Sequence, residues 1–451
     1  MTRTEIIRFC GIYVPLMLCL FAGIRQRSQP RIFIGCLLGT LWTVPTLLAL
    51  AHLNGVAQWW SFSGADITFA GMPIELYFGW ILLWGVLPQF VPVKLPVAGT
   101  VLGFVALDLL AMPACRPLVQ LHAHWLIGEA VAVLLVLLPA LCLGRWTIST
   151  SHLCARASLQ LILSCLIFLY FLPELAFALH PSSAWQPLLS MRGWSRQIAL
   201  QCIAMLALPG VGAVMEFAQR GHGTPIPYDP PSRLVVSGIY RYFANPMQLS
   251  CFLVALAWSL LLWNPWLLFV PFICVIYSIG IARWSEAQDL RQRFGSAWQD
   301  YRAEVHDWLP RWRPYHAGAP AKLYIAFSCG PCTELRHWLE ARNPIGLQIL
   351  PAESLPFRSI RRLRYDPSDQ NSAEEGIRAL GRALEHISFA WAIAGTALRL
   401  PLIWQFVQLV MDASGFGPQE LAACTVGPDI PGLLDKSSGQ ENVVDNQTLH
   451  M

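Results

Sequence analysis

Long apolar runs govern what this chain can fold into. Crossing about 30 Å of hydrocarbon as a helix takes roughly 20 apolar residues, and windows of that kind lie near residues 6–24, 32–53, 74–90, 97–113, 125–143, 159–179, 198–217, 247–263 and 266–283. Inside lipid every backbone polar group must be satisfied within its own segment, so the expected fold is a multi-pass α-helical membrane protein of about nine spans. Composition agrees, with 55% hydrophobic and only 13% charged residues among 451. A formal net charge of +4, dispersed along the chain, excludes nucleic acid as a partner and leaves the bilayer.

Basic residues then orient the spans. Arg25, Arg27 and Arg31 follow the first, Lys94 the third, Arg145 and Arg156 the fifth, and Arg220, Arg233 and Arg241 the seventh, so alternate loops are basic. Arg116, Arg192 and Arg196 fall on the opposite side, but the stronger clusters put the loop 218–246 and everything after about 284 in the cytoplasm, with the N-terminus outside. Arg8 interrupts the first apolar run and arginines end it, so it reads as a retained span rather than a cleaved signal.

Only Asn264 and Pro265 separate the last two spans, which must therefore form an antiparallel helical hairpin whose open ends meet at the cytoplasmic surface. One end carries LVVSGIYRYFANPMQLS (Leu234 to Ser250) behind the Gly/Pro-rich stretch GHGTPIPYDPP; the other carries ARWSEAQDLRQRFGSAWQDYRAEVHDWLPRW (Ala282 to Trp312). Arginine, asparagine and glutamate at such a mouth are costly unless they bind something polar. Arg241 alone reads equally well as an interfacial anchor, but Glu286 returns to the same depth from the partner helix and favours a site.

These residues resemble the isoprenylcysteine carboxyl methyltransferase and phospholipid methyltransferase superfamily of multi-pass membrane enzymes. The resemblance rests on Gly221, Gly223, Thr224, Pro225, Pro227, Pro230, Pro231, Leu234, Val235, Gly238, Tyr240, Arg241, Tyr242, Asn245, Pro246 and Met247, then on Glu286, Leu290, Phe294, Gly295, Tyr301, Trp308 and Pro310. Four positions depart: Ala244, Gln248, Ala287 and Trp298 stand where the family has arginine, tyrosine, glutamate and tyrosine. The resemblance implies S-adenosyl-L-methionine as methyl donor, a lipid-like or isoprenyl-like acceptor such as a prenylcysteine carboxyl, and a bacterial inner membrane. It also implies roles. Arg241 would pair with a cofactor or substrate carboxylate, and Glu286 would accept from the cofactor ammonium or ribose. Tyr240 or Tyr242 would face the sulfonium, and Asn245 with Pro246 would form the bend at the start of the eighth span. Sterol-reductase-like enzymes share a similar hairpin and take NADPH, which keeps a reductase open as an alternative.

From about 321 the pattern turns soluble. KLYIAF reads as a strand, CGPCTELRHWLEAR as a turn into an amphipathic helix and GLQILPAE as a second strand, with helical stretches at 372–387 and 398–412 and a disordered polar end at 435–451. Cys329 and Cys332 are the only closely spaced pair among 13 cysteines, and no second pair is near enough for a metal site. A Cys-x-x-Cys opening a helix after a strand is the setting of thioredoxin-type redox chemistry, in which the first thiol is the nucleophile. The stretch 321–415 is similar to the thioredoxin-like family of small thiol oxidoreductases with a D-x-x-C-x-x-C motif, on Cys329, Cys332, Leu347, Ile349, Pro351, Gly376, Ala379 and Leu380, with Ala326 in place of the aspartate. That resemblance implies a thiol partner. The expected domains are 1–196, transmembrane helices of unassigned role; 197–315, methyltransferase-like; and 321–420, thioredoxin-like. A membrane-anchored thiol redox protein with a degenerate methyltransferase site is a further alternative.

Among carboxylates placed in or beside spans (Glu75, Asp108, Glu129, Glu174, Glu216), Glu216 is the best site candidate, because it ends the seventh span next to the motif loop. Asp108 and Glu129 are expected to pair with each other or with His122 or His124. Tryptophans near span ends (Trp59, Trp60, Trp146, Trp194, Trp263, Trp266) read as an interfacial belt.

Overall fold

The computed structural model describes residues 2–26, 29–64, 67–116, 118–180, 184–226, 228–355, 362–369 and 371–418, the side chains of 281–287 excepted. Cys424 and the polar end 435–451 lie outside the described residues.

Nine apolar helices follow one another: α1 (Arg3–Arg25), α2 (Pro30–Ala57), α3 (Ile74–Phe90), α4 (Val97–Ala114), α5 (Trp125–Ile148), α6 (Leu153–Leu179), α7 (Gly193–Gln219), α8 (Pro246–Leu261) and α9 (Pro265–Gly280). Six are long and apolar enough to cross a membrane, whereas α3, α8 and α9 are shorter. The expectation of nine full spans is corrected there, because local breaks cut the apolar runs. Pro246 starts α8, a turn with Trp263 at φ +52° ends it, and Pro265 starts α9. Sixteen residues of α8 reach only about 24 Å at 1.5 Å per residue.

Prolines shape the bundle in a way that the tryptophans answer. Pro139 and Pro173 each follow a π-helical turn, Val133–Leu137 and Ile167–Phe171, since a proline inside a helix forfeits the bond to the carbonyl four residues back. Those two freed carbonyls, of Leu135 and Leu169, accept from Trp42 Nε1 at 2.9 Å and Trp258 Nε1 at 3.0 Å. Both indoles are buried, while Trp194, Trp263 and Trp266 stay exposed as a belt requires.

The loops gather on two faces. On one face strand β1 (Trp60–Phe62) pairs antiparallel with β2 (Val119–Leu121), joining the α2–α3 and α4–α5 loops, and Arg8 pairs with Glu75. His122 bonds Ser61 there at 3.0 Å, while Asp108 and Glu129 are both buried in the bundle. On the other face Arg145 donates to the Leu95 carbonyl and to Thr100 Oγ1, and Arg156 pairs with Asp229 at 3.1 Å.

After α9 comes α10 (Arg283–Glu304), kinked at Gly295, whose φ of +53° breaks the helix. The remaining chain builds β3 (Ala321–Ile325), α11 (Gly330–Glu340), β4 (Leu347–Pro351), β5 (Arg364–Asp366), β6 (Glu374–Glu375), α12 (Ile377–Leu384), α13 (Phe389–Arg399) and α14 (Ile403–Phe416). Its sheet has the order β4-β3-β5-β6, with β3 and β4 parallel and β5 antiparallel to both its neighbours. Leu323, Leu339, Tyr365, Ala379 and Ala383 fill its core. Two helical expectations shift. The stretch 372–387 begins as strand β6 and turns helical only after Gly376, at φ +61°; 398–412 spans a break, because Pro401 follows α13 and Leu402 takes φ +69°, leaving α13 and α14 bent by 87°.

Candidate active site

The two halves of the hairpin motif, some 60 residues apart, fold onto each other. Leu234 to Asn245 runs as an irregular segment around a 3-10 turn (Gly238–Arg241), and the segment after α10 wraps it. Tyr315 N donates to the Arg241 carbonyl at 2.8 Å, Arg311 N to Tyr242 at 3.0 Å, and Ala244 N and Asn245 N to the carbonyls of His306 and Asp307 at 2.8 and 3.0 Å. Tyr301 Oη donates to the Tyr240 carbonyl at 2.8 Å, and Trp308 stacks at 5.5 Å on Phe252 of α8. In front, the lid that begins at Gly221 folds back on α7 through Gly223 N to Phe217 O, 3.2 Å, and its two ends are tied by Ser232 N to Gly221 O, 2.8 Å. A Cβ at Gly223 would sit 2.9 Å from the Pro231 backbone, so only glycine closes this lid.

The structure places the expected site residues as follows. Arg241 is buried; its Nη1 donates to the Tyr315 carbonyl at 3.3 Å, and its Nε has no hydrogen-bond partner among the described residues. Thr224 Oγ1, in the lid, is likewise buried and unpartnered among them. Tyr240 is buried against Phe217. Tyr242 is fully enclosed, its ring against Phe389 of α13 and its hydroxyl donated to the Glu385 carbonyl at 3.0 Å. Asn245 directs its amide to Asp307 Oδ1 at 3.0 Å, and Pro246 is the first residue of α8. Glu286 falls in α10, but its side chain lies outside those described.

Glu216 is the hub that joins the halves of the molecule. Completely buried near the end of α7, it accepts from Ser237 Oγ of the motif loop at 2.8 Å, from Arg399 of α13 at 2.8 Å and from Arg382 of α12. Arg382 also reaches Glu374 at 2.7 Å and Glu385 at 3.3 Å, and Arg220 adds Glu374 at 3.3 Å and Asp369 at 2.8 Å. Gly238 permits this approach: at φ +61°, its missing Cβ would stand 2.6 Å from Glu216 Cγ. Burial, then the charge of Arg241, holds His316 and His386 below the usual histidine range, so both are neutral at pH 7. Burial would raise the Glu374 carboxyl, but Arg382 and Arg399 outweigh it and hold the group ionised.

Sequence reading singled out Glu216 and missed Arg382 and Arg399, although a trace existed: each stands alone in an apolar stretch, ALGRAL and GTALRLPL. Such a cation is expensive to bury unless paired.

The cysteine pair forms a separate site. Cys329 caps α11 with extended backbone (φ −101°, ψ 125°), and Cys332 sits in its first turn. Burial, reinforced by the neighbouring Cys329, pushes the Cys332 thiol up to about 12. Glu353 shapes the approach by accepting from Phe327 N, Ser328 N and Ser328 Oγ at 2.9 to 3.1 Å.

Among the described residues, six helices long and apolar enough to cross a membrane support an integral membrane protein. Residues 210–297, covering the end of α7, the lid, the motif turn, the hairpin and the start of α10, match the phospholipid methyltransferase family model, which supports a membrane methyltransferase. No curated protein and no solved structure matches the chain.

Proposed function

We propose that the protein transfers a methyl group from S-adenosyl-L-methionine to a lipid-like or isoprenyl-like acceptor, such as a prenylcysteine carboxyl, at the mouth of the α8–α9 hairpin. The observation that carries this reading is the family match over 210–297, which includes Arg241, whose Nε is a buried donor with no partner among the described residues. A buried donor left unsatisfied costs about 1–3 kcal/mol, and a carboxylate, such as that of the methyl donor, would relieve it. Thr224 Oγ1 is a second such group in the lid. When bound, the cofactor supplies an electrophilic sulfonium methyl, whose transfer needs alignment far more than acid–base chemistry. The chain's part is to position: Arg241 holds the anionic end, Tyr240 and the lid exclude water, Asn245 and Pro246 fix where α8 begins, and Glu286 is offered to the cofactor's ammonium or ribose. Tyr242 supports the turn from behind. Phe269, Phe272 and Ile276 on α9 are exposed, so an acceptor can arrive from the bilayer.

Two further parts of the proposal have their own support. The sheet order β4-β3-β5-β6 with β5 alone reversed, and a Cys-x-x-Cys between the first strand and first helix, support a thioredoxin-like domain acting on a thiol partner. Basic loops gathered on the face that carries this domain support its cytoplasmic placement in a bacterial inner membrane.

Binding of labelled S-adenosylmethionine to purified protein tests the main reading, with Arg241→Ala and Glu286→Ala compared at matched thermal stability. Saturable binding lost in both variants is expected. Folded wild type that ignores S-adenosylmethionine but binds NADPH would replace the reading with a reductase.

A further inference from the structure

Beside the cysteine pair lies a cavity of about 450 Å³, within the span of small-molecule sites, roughly 300–1,000 Å³. Cys329 and Cys332 form one wall; Ile377, Leu380, Met411 and Phe416 form much of the other. The polar groups at its rim are spent on one another. Arg362 makes two 2.8 Å bonds to Asp412, Gln408 Nε2 reaches the same carboxylate at 2.9 Å, and Gln408 Oε1 accepts from Ile377 N at 3.0 Å. α14 is thus held over the cysteines by bonds at its edge, and the space beneath it is apolar and open.

The outer face of the same helix is equally apolar. Ile403, Phe406, Leu409 and Val410 are exposed, Phe406 to 67%. Its neighbour α13 locates it: Thr396 packs where a Cβ on Gly212 would fall, and Ala392 clusters with Ala213 of α7. Those α7 positions lie six or seven residues before Gln219, about 10 Å inside the end of the helix. α13 therefore packs beside the last turns of an apolar helix long enough to cross a membrane, and α14 runs on from it, so that an exposed apolar face there is one that lipid would cover. One wall of the cavity is at once the surface that meets the bilayer.

We infer that this cavity receives the hydrocarbon chain of a lipophilic disulfide drawn from the membrane, presenting its sulfur–sulfur bond to Cys329. The inference rests on the thiol–disulfide reading of the domain and names its substrate class. The Cys329 thiolate attacks one sulfur of R–S–S–R′, the S–S bond breaks, and R′S⁻ leaves and takes up a proton. The Cys332 thiolate then attacks Cys329 Sγ, forming the protein disulfide and releasing RS⁻, which takes up the second proton. The two protons are those the protein dithiol gave up; the pair is oxidised and the substrate reduced by two electrons.

The test uses reduced full-length protein in lipid nanodiscs and two mixed disulfides of one chromogenic aryl thiol, bearing a methyl or a dodecyl group, with aryl thiol release followed by stopped flow. Burial of even a few methylenes is worth about tenfold or more, so wild type is expected to favour the dodecyl probe by at least that ratio, with saturation. Partition into the nanodisc also favours the long probe, but equally in every variant. Leu380→Trp and, independently, Met411→Trp fill the cavity and should each cut the dodecyl-to-methyl ratio at least fivefold in folded protein. A ratio unchanged in both shows partition alone and overturns the inference. No release of aryl thiol from either probe overturns the thiol–disulfide reading itself, and the inference with it.

Discussion

Replacing Glu216 with alanine should undock the C-terminal domain from the membrane bundle. The side chain is completely enclosed, and its carboxylate accepts from Arg382, Arg399 and Ser237. Arg382 retains Glu374 and Glu385 as partners, but among the described residues Arg399 keeps only Glu385, and both cations stay buried. Removing one member of a buried, hydrogen-bonded charge cluster costs about 3–5 kcal/mol. At 1.4 kcal/mol per decade that raises the undocked population between about a hundredfold and several thousandfold. Because Glu216 bridges α7 to α12 and α13, the loss falls on the interface, while the Leu323, Leu339 and Tyr365 core keeps its own packing. Hydrogen–deuterium exchange read by mass spectrometry separates the two: amides of α13, 389–399, should exchange at least a hundredfold faster, and those of 321–325 should change much less. Glu216→Gln, which keeps an acceptor oxygen and loses the charge, should fall between. Exchange in 389–399 within about threefold of wild type would show that the charges are not what holds the interface, and the argument from burial would fail.

Gly238→Ala attacks the same hub from the motif side. A left-handed φ costs a non-glycine residue about 1–2 kcal/mol, and the new Cβ would meet Glu216 Cγ at 2.6 Å, so the melting temperature should drop by several degrees; an unchanged transition would mean that the turn relaxes without strain. The Cys332 thiol, raised by burial to about 12, is about one part in ten thousand ionised at pH 8, against roughly a quarter for an ordinary cysteine. Since the thiolate is the reactive form, alkylation of the reduced, folded protein at pH 8 should leave Cys332 unlabelled while exposed Cys154 reacts, with labelling of Cys332 rising only as pH nears 12; equal labelling of the two at pH 8 would contradict the assigned burial.

What could be read in advance followed from short-range regularities. Apolar windows marked the six long helices because lipid demands unbroken hydrogen bonding along each segment, and the α8–α9 hairpin followed from a two-residue connection. The strand, turn and helix around Cys329 were legible because alternation and helical periodicity are local. Helix lengths at Pro246, Pro265 and Pro401 were less so: a proline inside a run reads the same whether a π turn absorbs it, as before Pro139, or it ends the helix, as at Pro401.

The charge hub was out of reach for a different reason. Arg382 and Arg399 stand 166 and 183 residues from Glu216, and no periodicity reports a contact at that separation. Tyr242 shows the consequence, since a tyrosine beside an arginine in a motif suggests a ligand contact, yet here its hydroxyl is given to Glu385 of the docked domain. Apolar patches such as Ala213 against Ala392 would tolerate small slides of α13 along α7, because hydrophobic contact is non-directional. Two guanidinium forks converging on one buried carboxylate do not. The hub therefore sets the register in which α13 lies on α7 and Tyr242 meets Glu385, so the motif turn and the docked domain are held together by the same few charges.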